Sequence, residues 1–374
     1  LRRYEEPKLL QKLALMHWGL VLLLCLIGSI GFLALWAAGG GNIHQYADKH
    51  IIRFAMGMGM ALCVGLISIR FWRQIAWPFY FLGLALLIYV DIRGHIGMGA
   101  QRWIDLGFMQ LQPSEIMKPA LILALAAYFE KKELTQISLL RTVATALVII
   151  LVPVSVVVVQ PDLGTGMALM MPGVAVLFAV GVSWWYLIVG ACGVAGIIPV
   201  AWHFLHEYQR NRIRIFLNPD LDPQGTGYHI TQSKIAMGSG GLTGKGFLQG
   251  TQSKLNFLPE KQTDFIFTLW TEEWGLMGGT VLLGLFLLTF VYGWLIAINC
   301  RYPFARLLVM GLTFNISIYV LINSGMVMGL LPVVGIPMPM VSHGGTAMLS
   351  VLFCYGLILS ASIHRDVKIR QGMF

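Results

Sequence analysis

Residues 13–36 read LALMHWGLVLLLCLIGSIGFLALW and contain no aspartate, glutamate, lysine or arginine. An α-helix needs roughly 17–25 mostly apolar residues to cross the hydrocarbon layer of a bilayer. The run is therefore long enough to be a membrane span. Because it exceeds the apolar core of a secretory signal peptide, we expect it to be retained in the mature protein.

Similar apolar runs recur along the rest of the 374-residue chain. Hydrophobic residues make up 57% of it and charged residues only 11%, whereas soluble domains carry about 25% charged residues. A compact soluble fold could not keep this much apolar surface out of water. The sequence therefore predicts an all-α integral membrane protein of about ten transmembrane helices, a single polytopic membrane domain over residues 1–374. The further runs are Phe54–Ile69, Ala76–Val90, Pro119–Phe129, Thr142–Val159, Met167–Val182, Trp184–Trp202, Leu276–Ile298, Leu307–Ile322 and Thr346–Ile363.

Basic residues are concentrated between the apolar runs. They precede the first run and follow the second, fourth, eighth and tenth, which puts them on one side of the membrane if there are ten spans. By the positive-inside rule that side is the cytoplasm, so both termini are predicted to be cytoplasmic. The opposite side receives residues 203–263, a large extracytoplasmic loop between the seventh and eighth spans. The net charge of +9 does not indicate nucleic acid, because the basic residues form no stripe with interleaved aromatic residues.

Two ionisable residues lie at the start of the fourth span, in the segment Gln112-Pro-Ser-Glu-Ile-Met-Lys118. Charged groups in membrane helices are costly and are functional candidates by default. Glu115 and Lys118 are three residues apart in sequence, so they share one helix face. Two interpretations stay open: a structural ion pair at the helix end, or the lining of a polar cavity that receives an anionic head group.

Two loop motifs also attract attention. In Gln160-Pro-Asp-Leu-Gly-Thr-Gly166, Asp162 is predicted to cap the sixth span, and contact with a cation or a substrate hydroxyl is the alternative. The stretch Gly238-Ser-Gly-Gly-Leu-Thr-Gly-Lys-Gly246 lacks the pattern of a nucleotide-binding P-loop. We expect it to be a flexible outer loop near a pyrophosphate.

A further carboxylate stands where the long outer segment meets the eighth span. Asp264 follows Thr263 and precedes the apolar Phe-Ile-Phe267. Partial burial would raise the pKa of the Asp264 carboxyl and make it a better base. The alternative is a helix N-cap, and spacing does not decide between the two. Glu272 and Glu273 are candidates to line the same cavity. The sequence contains no zinc-ligand pattern and no Ser-His-Asp set.

Together these segments resemble the SEDS family (shape, elongation, division and sporulation), membrane glycosyltransferases that polymerise peptidoglycan. Each motif is short, but their order and spacing are specific and cover nearly the whole chain. Leu331-Pro-Val-Val-Gly-Ile-Pro337 and Gln224-Gly-Thr-Gly-Tyr-His229 are similar to the elongation branch, which serves rod shape, rather than the division branch. The signature segments are Gln101-Arg-Trp103, Gln112-Pro-Ser-Glu115, Gln160-Pro-Asp-Leu-Gly-Thr165, Gly227-Tyr-His-Ile-Thr-Gln-Ser-Lys-Ile-Ala236, Gly238-Ser-Gly-Gly-Leu242, Leu258-Pro-Glu260, Thr263-Asp-Phe265 and Gly344-Gly345.

The resemblance implies that Asp264 is the catalytic carboxylate. The substrate would be lipid II, a disaccharide-pentapeptide on undecaprenyl pyrophosphate, and the reaction a single inverting displacement. Positive charge for the phosphates would come from Lys118, Arg102 and Arg210, or from a divalent cation such as Mg2+. The residues implied to bind substrate are Arg102, Glu115, Lys118, Asp162, Arg210 and Thr263.

The resemblance also implies a bacterial cytoplasmic (inner) membrane, surrounding membrane lipid, and a partner: a class B penicillin-binding protein, whose transpeptidase crosslinks the strands. Two residues depart from the usual motifs, His343 in place of a tyrosine and Gln110 in place of a basic residue, and we expect neither to abolish activity. A lipid II flippase or a non-catalytic morphogenesis scaffold are the alternatives. The position of Asp264 favours a polymerase, because a flippase needs no basic carboxylate at this junction.

Overall fold

The computed structural model describes residues 7–97, 100–105, 107, 110–160, 162–204, 207–222, 225–254 and 260–366. Helices dominate this part of the chain, and a 3-10 helix at Pro219–Leu221 and three short strands complete it. The helices are α1 (Leu9–Leu15), α2 (Trp18–Ala38), α3 (Ala47–Leu66), α4 (Ile69–Arg93), α5 (Pro113–Glu130), α6 (Leu134–Ile137), α7 (Leu140–Val159), α8 (Leu163–Val180), α9 (Trp184–Phe204), α10 (Glu207–Leu217), α11 (Thr226–Ser239), α12 (Thr251–Lys254), α13 (Ile266–Asn299), α14 (Pro303–Val327) and α15 (Gly345–Ile363).

Eight of the described helices are long and apolar enough to cross a membrane: α2, α3, α4, α7, α8, α13, α14 and α15. The all-α membrane class is therefore confirmed. The fourth and seventh predicted runs coincide with α5, which carries three charged side chains, and with α9, whose described apolar stretch Trp184–Gly193 is shorter than a span. The total of ten spans, like the side of the membrane on which each loop lies, stays a prediction.

The connections between the spans contain more structure than the sequence predicts. Between α4 and α5, the strands β1 (His95–Gly97), β2 (Ala100–Asp105) and β3 (Gln110–Leu111) form a small antiparallel sheet in the order β1-β2-β3. The segment 203–263 holds α10, α11 and α12. Within the predicted motifs, Gln224, Leu258 and Pro259 lie outside the described residues, as do the C-terminal basic residues Lys368 and Arg370.

Two helix contacts organise the bundle. The fourth predicted span, α5, is the central helix, since its residues 117–127 are buried by α4, α7, α8 and α14. The last helix, α15, packs along α3, where Gly57 lies against Leu352 and Gly356 against Val64. Small residues let membrane helices approach closely, and packing replaces the hydrophobic drive that lipid removes. The core therefore lies along α5, α14 and α15.

The long helix α13 is broken near its start. Gly275 has φ 66° and ψ −165°, a backbone conformation that is not helical, and which glycine adopts without a Cβ penalty. The glycine-rich turn after α11 fills the break: Leu276 N donates to Gly241 O at 2.9 Å and Lys245 N to Glu272 O at 3.1 Å. In a membrane helix, backbone groups freed by a break need such partners. The predicted eighth span is the part of α13 after this break.

These contacts overturn one expectation. The glycine-rich stretch is not a flexible loop but a clasp on α13, and its glycines are required by close approach. A Cβ at Gly240 would lie 2.4 Å from Thr271 O, and one at Gly244 would lie 2.0 Å from Glu273 O. A Cβ at either position would force backbone atoms apart. The close contact between the clasp and α13 therefore explains why these positions are glycine, without any need for a bound phosphate.

Candidate active site

Asp264 lies in the turn that leads into α13. The turn starts at Glu260, which has a left-handed φ of 55°, and Thr263 N donates to Glu260 O at 3.0 Å. The helix begins at Ile266 with Phe265 as its N-cap residue, and no side chain caps it. The N-cap alternative for Asp264 is therefore wrong, and its carboxylate is not used to terminate the helix.

The carboxylate of Asp264 is partly enclosed and poorly compensated. Burial raises its pKa to about 6, the negative charge of Glu260 adds to the rise, and the positive charge of Arg212 opposes it. Among the described residues, no donor forms a hydrogen bond with either carboxylate oxygen. Gly335, whose φ of 76° is in the left-handed region, lies beside the carboxylate: a Cβ at this position would be 3.5 Å from Asp264 Oδ2. A base poised near neutral pH has these properties.

The side chain of Thr263, the other predicted site residue in this turn, bonds to the turn itself. Its hydroxyl Oγ1 donates to Glu260 O at 3.2 Å. This bond and the bond from its backbone N–H close the turn on Glu260. Thr263 therefore shapes the turn that presents Asp264, and its side chain remains close to the carboxylate that the sequence singles out.

Glu115 and Lys118 form an enclosed ion pair in the first turn of α5. Lys118 Nζ lies 2.6 Å from Glu115 Oε1, and both side chains are almost fully buried. The hydroxyl of Tyr319 on α14 joins both charged groups in a short hydrogen-bonded triangle. Lys118 Nζ also lies 4.3 Å from the centre of the Tyr319 ring, and Ser350 Oγ donates to Glu115 O at 2.7 Å. This geometry favours the structural ion pair over the lining of a cavity.

Arg102 and Asp162 form a second pair between β2 and the start of α8. Arg102 Nε lies 3.0 Å from Asp162 Oδ2. The other oxygen of Asp162 accepts from Thr165 N at 3.1 Å, and Thr165 Oγ1 donates to Asp162 Oδ2 at 2.7 Å. The predicted cap of this helix is confirmed. The pair anchors the small sheet to α8 and leaves the Arg102 side chain partly exposed, at 27%.

Arg210 lies on α10, where its Nη2 donates to His203 O at 2.8 Å. It therefore ties α10 to the end of α9. The arginine whose charge acts on Asp264 is its neighbour Arg212, an exposed residue on the same helix. Sequence reasoning missed Arg212 because the stretch Arg210-Asn-Arg-Ile-Arg214 offers three arginines and nothing in it indicates which one faces the carboxylate.

Glu272 does not line a cavity with Asp264. It is fully buried and accepts from Lys245 Nζ at 2.8 Å, from Gln252 N at 3.0 Å and from Thr251 Oγ1 at 3.2 Å. It therefore anchors the chain between the glycine-rich clasp and α12. Among the described residues, no group of three or more histidine, cysteine, aspartate or glutamate side chains could hold a metal ion.

Helix α14 connects the enclosed pair to the Asp264 turn. Tyr319 holds Glu115 and Lys118, and four residues later Asn323 Nδ2 donates to Asp264 O at 3.0 Å. Residues four apart lie on the same helix face. One face of α14 thus contacts both the ion pair and the backbone of the Asp264 turn, although the sequence offers no sign that Tyr319 and Asn323 belong to the site.

Comparisons with known proteins agree with this arrangement. A family model described as "Cell cycle protein" and covering FtsW, RodA and SpoVE matches residues 11–367. Peptidoglycan glycosyltransferase MrdB of Escherichia coli K12 is 44% identical over 349 residues, which cover 93% of each chain. Stage V sporulation protein E of Bacillus subtilis 168 is 34% identical over 355 residues, 92% of this chain and 96% of its own.

Two solved structures have the same fold along nearly the whole chain. RodA of Thermus thermophilus, a rod-shape-determining protein, superposes with a TM-score of 0.72 at 27% identity and covers 94% of this chain and 98% of its own. A chain from a peptidoglycan synthase complex, described as coordinating polymerization and crosslinking, superposes with a TM-score of 0.81 at 32% identity. It covers 94% of this chain and 98% of its own.

Proposed function

The chain belongs to the FtsW/RodA/SpoVE family, and from this premise we propose that Asp264 is the general base of its glycosyl transfer. The chain is a multi-pass membrane protein and a peptidoglycan glycosyltransferase of this family. The single observation that supports the role of Asp264 is its half-enclosed carboxylate, whose pKa is raised to about 6. Such a group is ionised at neutral pH and still accepts a proton readily.

The substrate we propose is lipid II, both as acceptor and as the unit that carries the donor chain. Its pyrophosphate is an activated, anionic leaving group, so no strong general acid is required. Asp264 takes the proton from the acceptor hydroxyl while that oxygen attacks the anomeric carbon of the donor. The bond from this carbon to the pyrophosphate breaks on the opposite face, which inverts the configuration, and Asp264 returns its proton to water.

The departing phosphates need positive charge. Arg102 and Arg210 are partly exposed residues, and Arg212 already acts on Asp264 by its charge. Lys118 is enclosed by Glu115 and Tyr319, so we assign that pair to holding α5 against α14. Mg2+ is the alternative source of positive charge. Activity that survives EDTA supports the arginines, and activity that is lost and returns with Mg2+ supports the ion.

The partner we propose is a class B penicillin-binding protein, and the membrane is the bacterial cytoplasmic (inner) membrane. The polymer that this chain makes becomes useful to the cell wall only when a transpeptidase crosslinks it. The related chain in the peptidoglycan synthase complex is described in those terms, as coordinating polymerization with crosslinking. Enhanced polymerisation on adding the transpeptidase to the purified chain would support this partner.

A polymerisation assay with lipid II tests the role of Asp264. We expect Asp264→Ala to insert and fold normally but to lose at least 1,000-fold in kcat (~10³, the cost of removing a central catalytic group). Asp91→Asn, which changes an exposed carboxylate at the end of α4, is the matched control and should retain wild-type activity. Glycan strands made by Asp264→Ala at the wild-type rate would overturn the proposal and return attention to a flippase or scaffold.

A further inference from the structure

Three successive backbone carbonyls of the Asp264 turn are each held from outside the turn. Gln262 O accepts from His343 N at 2.8 Å. Thr263 O accepts from Ser342 Oγ at 2.6 Å, and Asp264 O accepts from Asn323 Nδ2 at 3.0 Å. All three donors come from α14 or from the segment between α14 and α15. The turn is thus fixed through its backbone, whereas the carboxylate it carries is left free.

We propose that Ser342 and Asn323 are positioning residues, which hold the backbone of residues 263–264 and so keep the Asp264 carboxylate in its place beside Gly335. The proposal rests on the proposed role of Asp264 as the base. Catalytic groups must be held within a fraction of an ångström, and a displacement of about 1 Å costs up to roughly 100-fold in rate. Neither residue touches the reacting atoms.

Both hydrogen bonds of the Asn323 side chain go to backbone carbonyls beside the Asp264 carboxylate. It is fully buried, and Nδ2 donates to Asp264 O and, at 2.8 Å, to Ile336 O. Because both partners are carbonyls, the amide nitrogen must face them. Asn323 Oδ1 has no partner among the described residues, and an unpaired buried oxygen costs stability. Asn323 therefore fixes the spacing between the Asp264 backbone and the 335–336 backbone at an energetic cost, which is typical of functional sites.

Ser342 links the same turn to its own loop. Its hydroxyl donates to Thr263 O and accepts from Met338 N at 2.8 Å, and Ser342 N donates to Met338 O at 3.0 Å. The side chain is 2% exposed. The loop also contains Met340, whose φ of 57° is rare for a residue with a side chain. The Ser342 hydroxyl thus holds the catalytic turn against a loop whose own backbone is constrained.

A comparison of two buried serines tests the proposal. Ser360 Oγ on α15 donates to Ile67 O at 2.6 Å, so Ser360→Ala removes an equivalent long-range hydrogen bond far from Asp264. We expect both alanine variants to lose similar thermal stability. Only Ser342→Ala should lose about 10–100-fold in kcat with KM little changed, and Ser342→Thr, which keeps a hydroxyl, should recover most of that activity.

The pH profile separates positioning from general support of the fold. When the turn loosens, the Asp264 carboxylate gains water and its pKa falls toward the ordinary value. The acid limb of kcat/KM should therefore shift to lower pH in Ser342→Ala and stay in place in Ser360→Ala. An unshifted limb together with an unchanged kcat in Ser342→Ala would overturn the proposal.

Asn323→Asp supplies a second, independent readout, because an aspartate keeps the shape but donates at most one of the two bonds, and that only when it is protonated. Its control is Asn299→Asp, since Asn299 Nδ2 donates only to Leu295 O within its own helix. We expect a loss of at least tenfold in kcat for Asn323→Asp alone. If that variant fails to fold, the two serine variants still decide the question. Full activity in a folded Asn323→Asp variant would exclude Asn323 from the positioning role. An Asp264→Ala variant that retained activity would instead refute the base itself.

Discussion

The two charged regions that one face of α14 contacts differ in how completely their charges are paired. At the start of α5, Glu115 and Lys118 satisfy each other and share the Tyr319 hydroxyl. In the Asp264 turn three successive backbone carbonyls accept hydrogen bonds, while the carboxylate has the negative charge of Glu260 acting on it and the positive charge of Arg212 opposing that effect. A buried charged group that is fully paired has a structural role, because it fixes how its helices pack. A group held in place but left unpaired is available for chemistry.

Helix α14 contributes both to the paired region and to the region with the unpaired carboxylate. Tyr319 and Asn323 are four residues apart on α14. The first uses its hydroxyl to complete the ion pair, and the second uses its amide to fix the base. Because the two contacts lie one turn apart on a buried helix, a change in the position of α14 would move both regions together. The enclosed pair therefore also supports the catalytic turn, through its hold on this helix.

The largest effect expected from this comparison concerns the enclosed pair. Lys118→Met leaves Glu115 buried without its cation and should cost roughly 3–5 kcal/mol of stability. Glu115→Gln combined with Lys118→Met removes both charges and should cost much less, about 1–2 kcal/mol, because no unpaired charge remains. The folded fraction in detergent after a thermal ramp measures both.

The exposed pair between Arg301 and Asp366, 3.5 Å apart, is the matched control for these variants. Asp366→Asn should change stability by less than about 0.5 kcal/mol, because exposed ion pairs contribute little. If the double variant were as unstable as Lys118→Met, the pair would have a role beyond mutual compensation. A cavity lining that the substrate needs would then become the better interpretation.

The next effect concerns the pH dependence of the unpaired carboxylate. Asp264 must be ionised to act as a base, so kcat/KM should fall about tenfold per pH unit below a midpoint near pH 6. Stability should change in the opposite direction. The raised pKa means that the folded state prefers the neutral carboxyl, so this contribution to stability is present below about pH 4 and is lost as the pH rises through 6.

Asp264→Asn mimics the neutral form and tests the sign of this linkage. At pH 7.5 it should be more stable than the wild-type chain by about 1–2 kcal/mol, since partial exposure reduces the full effect. The gain should disappear below about pH 4. Thermal unfolding at the two pH values measures it. An Asp264→Asn variant that is less stable at pH 7.5 would mean that the ionised carboxylate has a partner in the folded state.

The sequence predicts the parts of this architecture that depend on local pattern. Apolar runs locate the helices, three-residue spacing puts Glu115 and Lys118 on one face, and the Pro-Asp-Leu-Gly-Thr motif predicts the cap at Asp162. These features need only residues that are close in the chain. The general position of Asp264 at the start of a helix is predicted for the same reason.

Contacts between distant residues could not be predicted in this way. Tyr319 is 204 residues from Glu115, and Ser342 is 79 residues from Thr263, so their partners depend on which helix faces meet in the bundle. The break at Gly275 has no local signal either, because glycine is common in membrane helices. The sequence accordingly predicts a flexible loop where the structure has the glycine-rich clasp, because the partner of the clasp on α13 lies about thirty residues away.

The smallest effect expected is that of His343→Tyr, which supplies the tyrosine that the resemblance to the SEDS family leads us to expect at this position. Burial and the charges of Arg53 and Lys49 lower the pKa of His343 to about 4, so the ring is neutral at working pH, as a tyrosine would be. The ring lies 5.3 Å from the Tyr46 ring, and Nε2 lies 3.3 Å from Arg53 Nη1. Only the backbone N–H of His343 holds the catalytic turn, and the substitution keeps it.

We therefore expect His343→Tyr to change kcat by less than about threefold and to leave the acid limb of the pH profile in place. Ser342→Ala, one residue earlier, is the natural comparison, because its side chain bonds the turn and that of His343 does not. The same lipid II assay measures both variants. A loss in His343→Tyr as large as that in Ser342→Ala would show that the imidazole itself acts on substrate or on Asp264. In that case His343 would act through its side chain as well as through its backbone N–H.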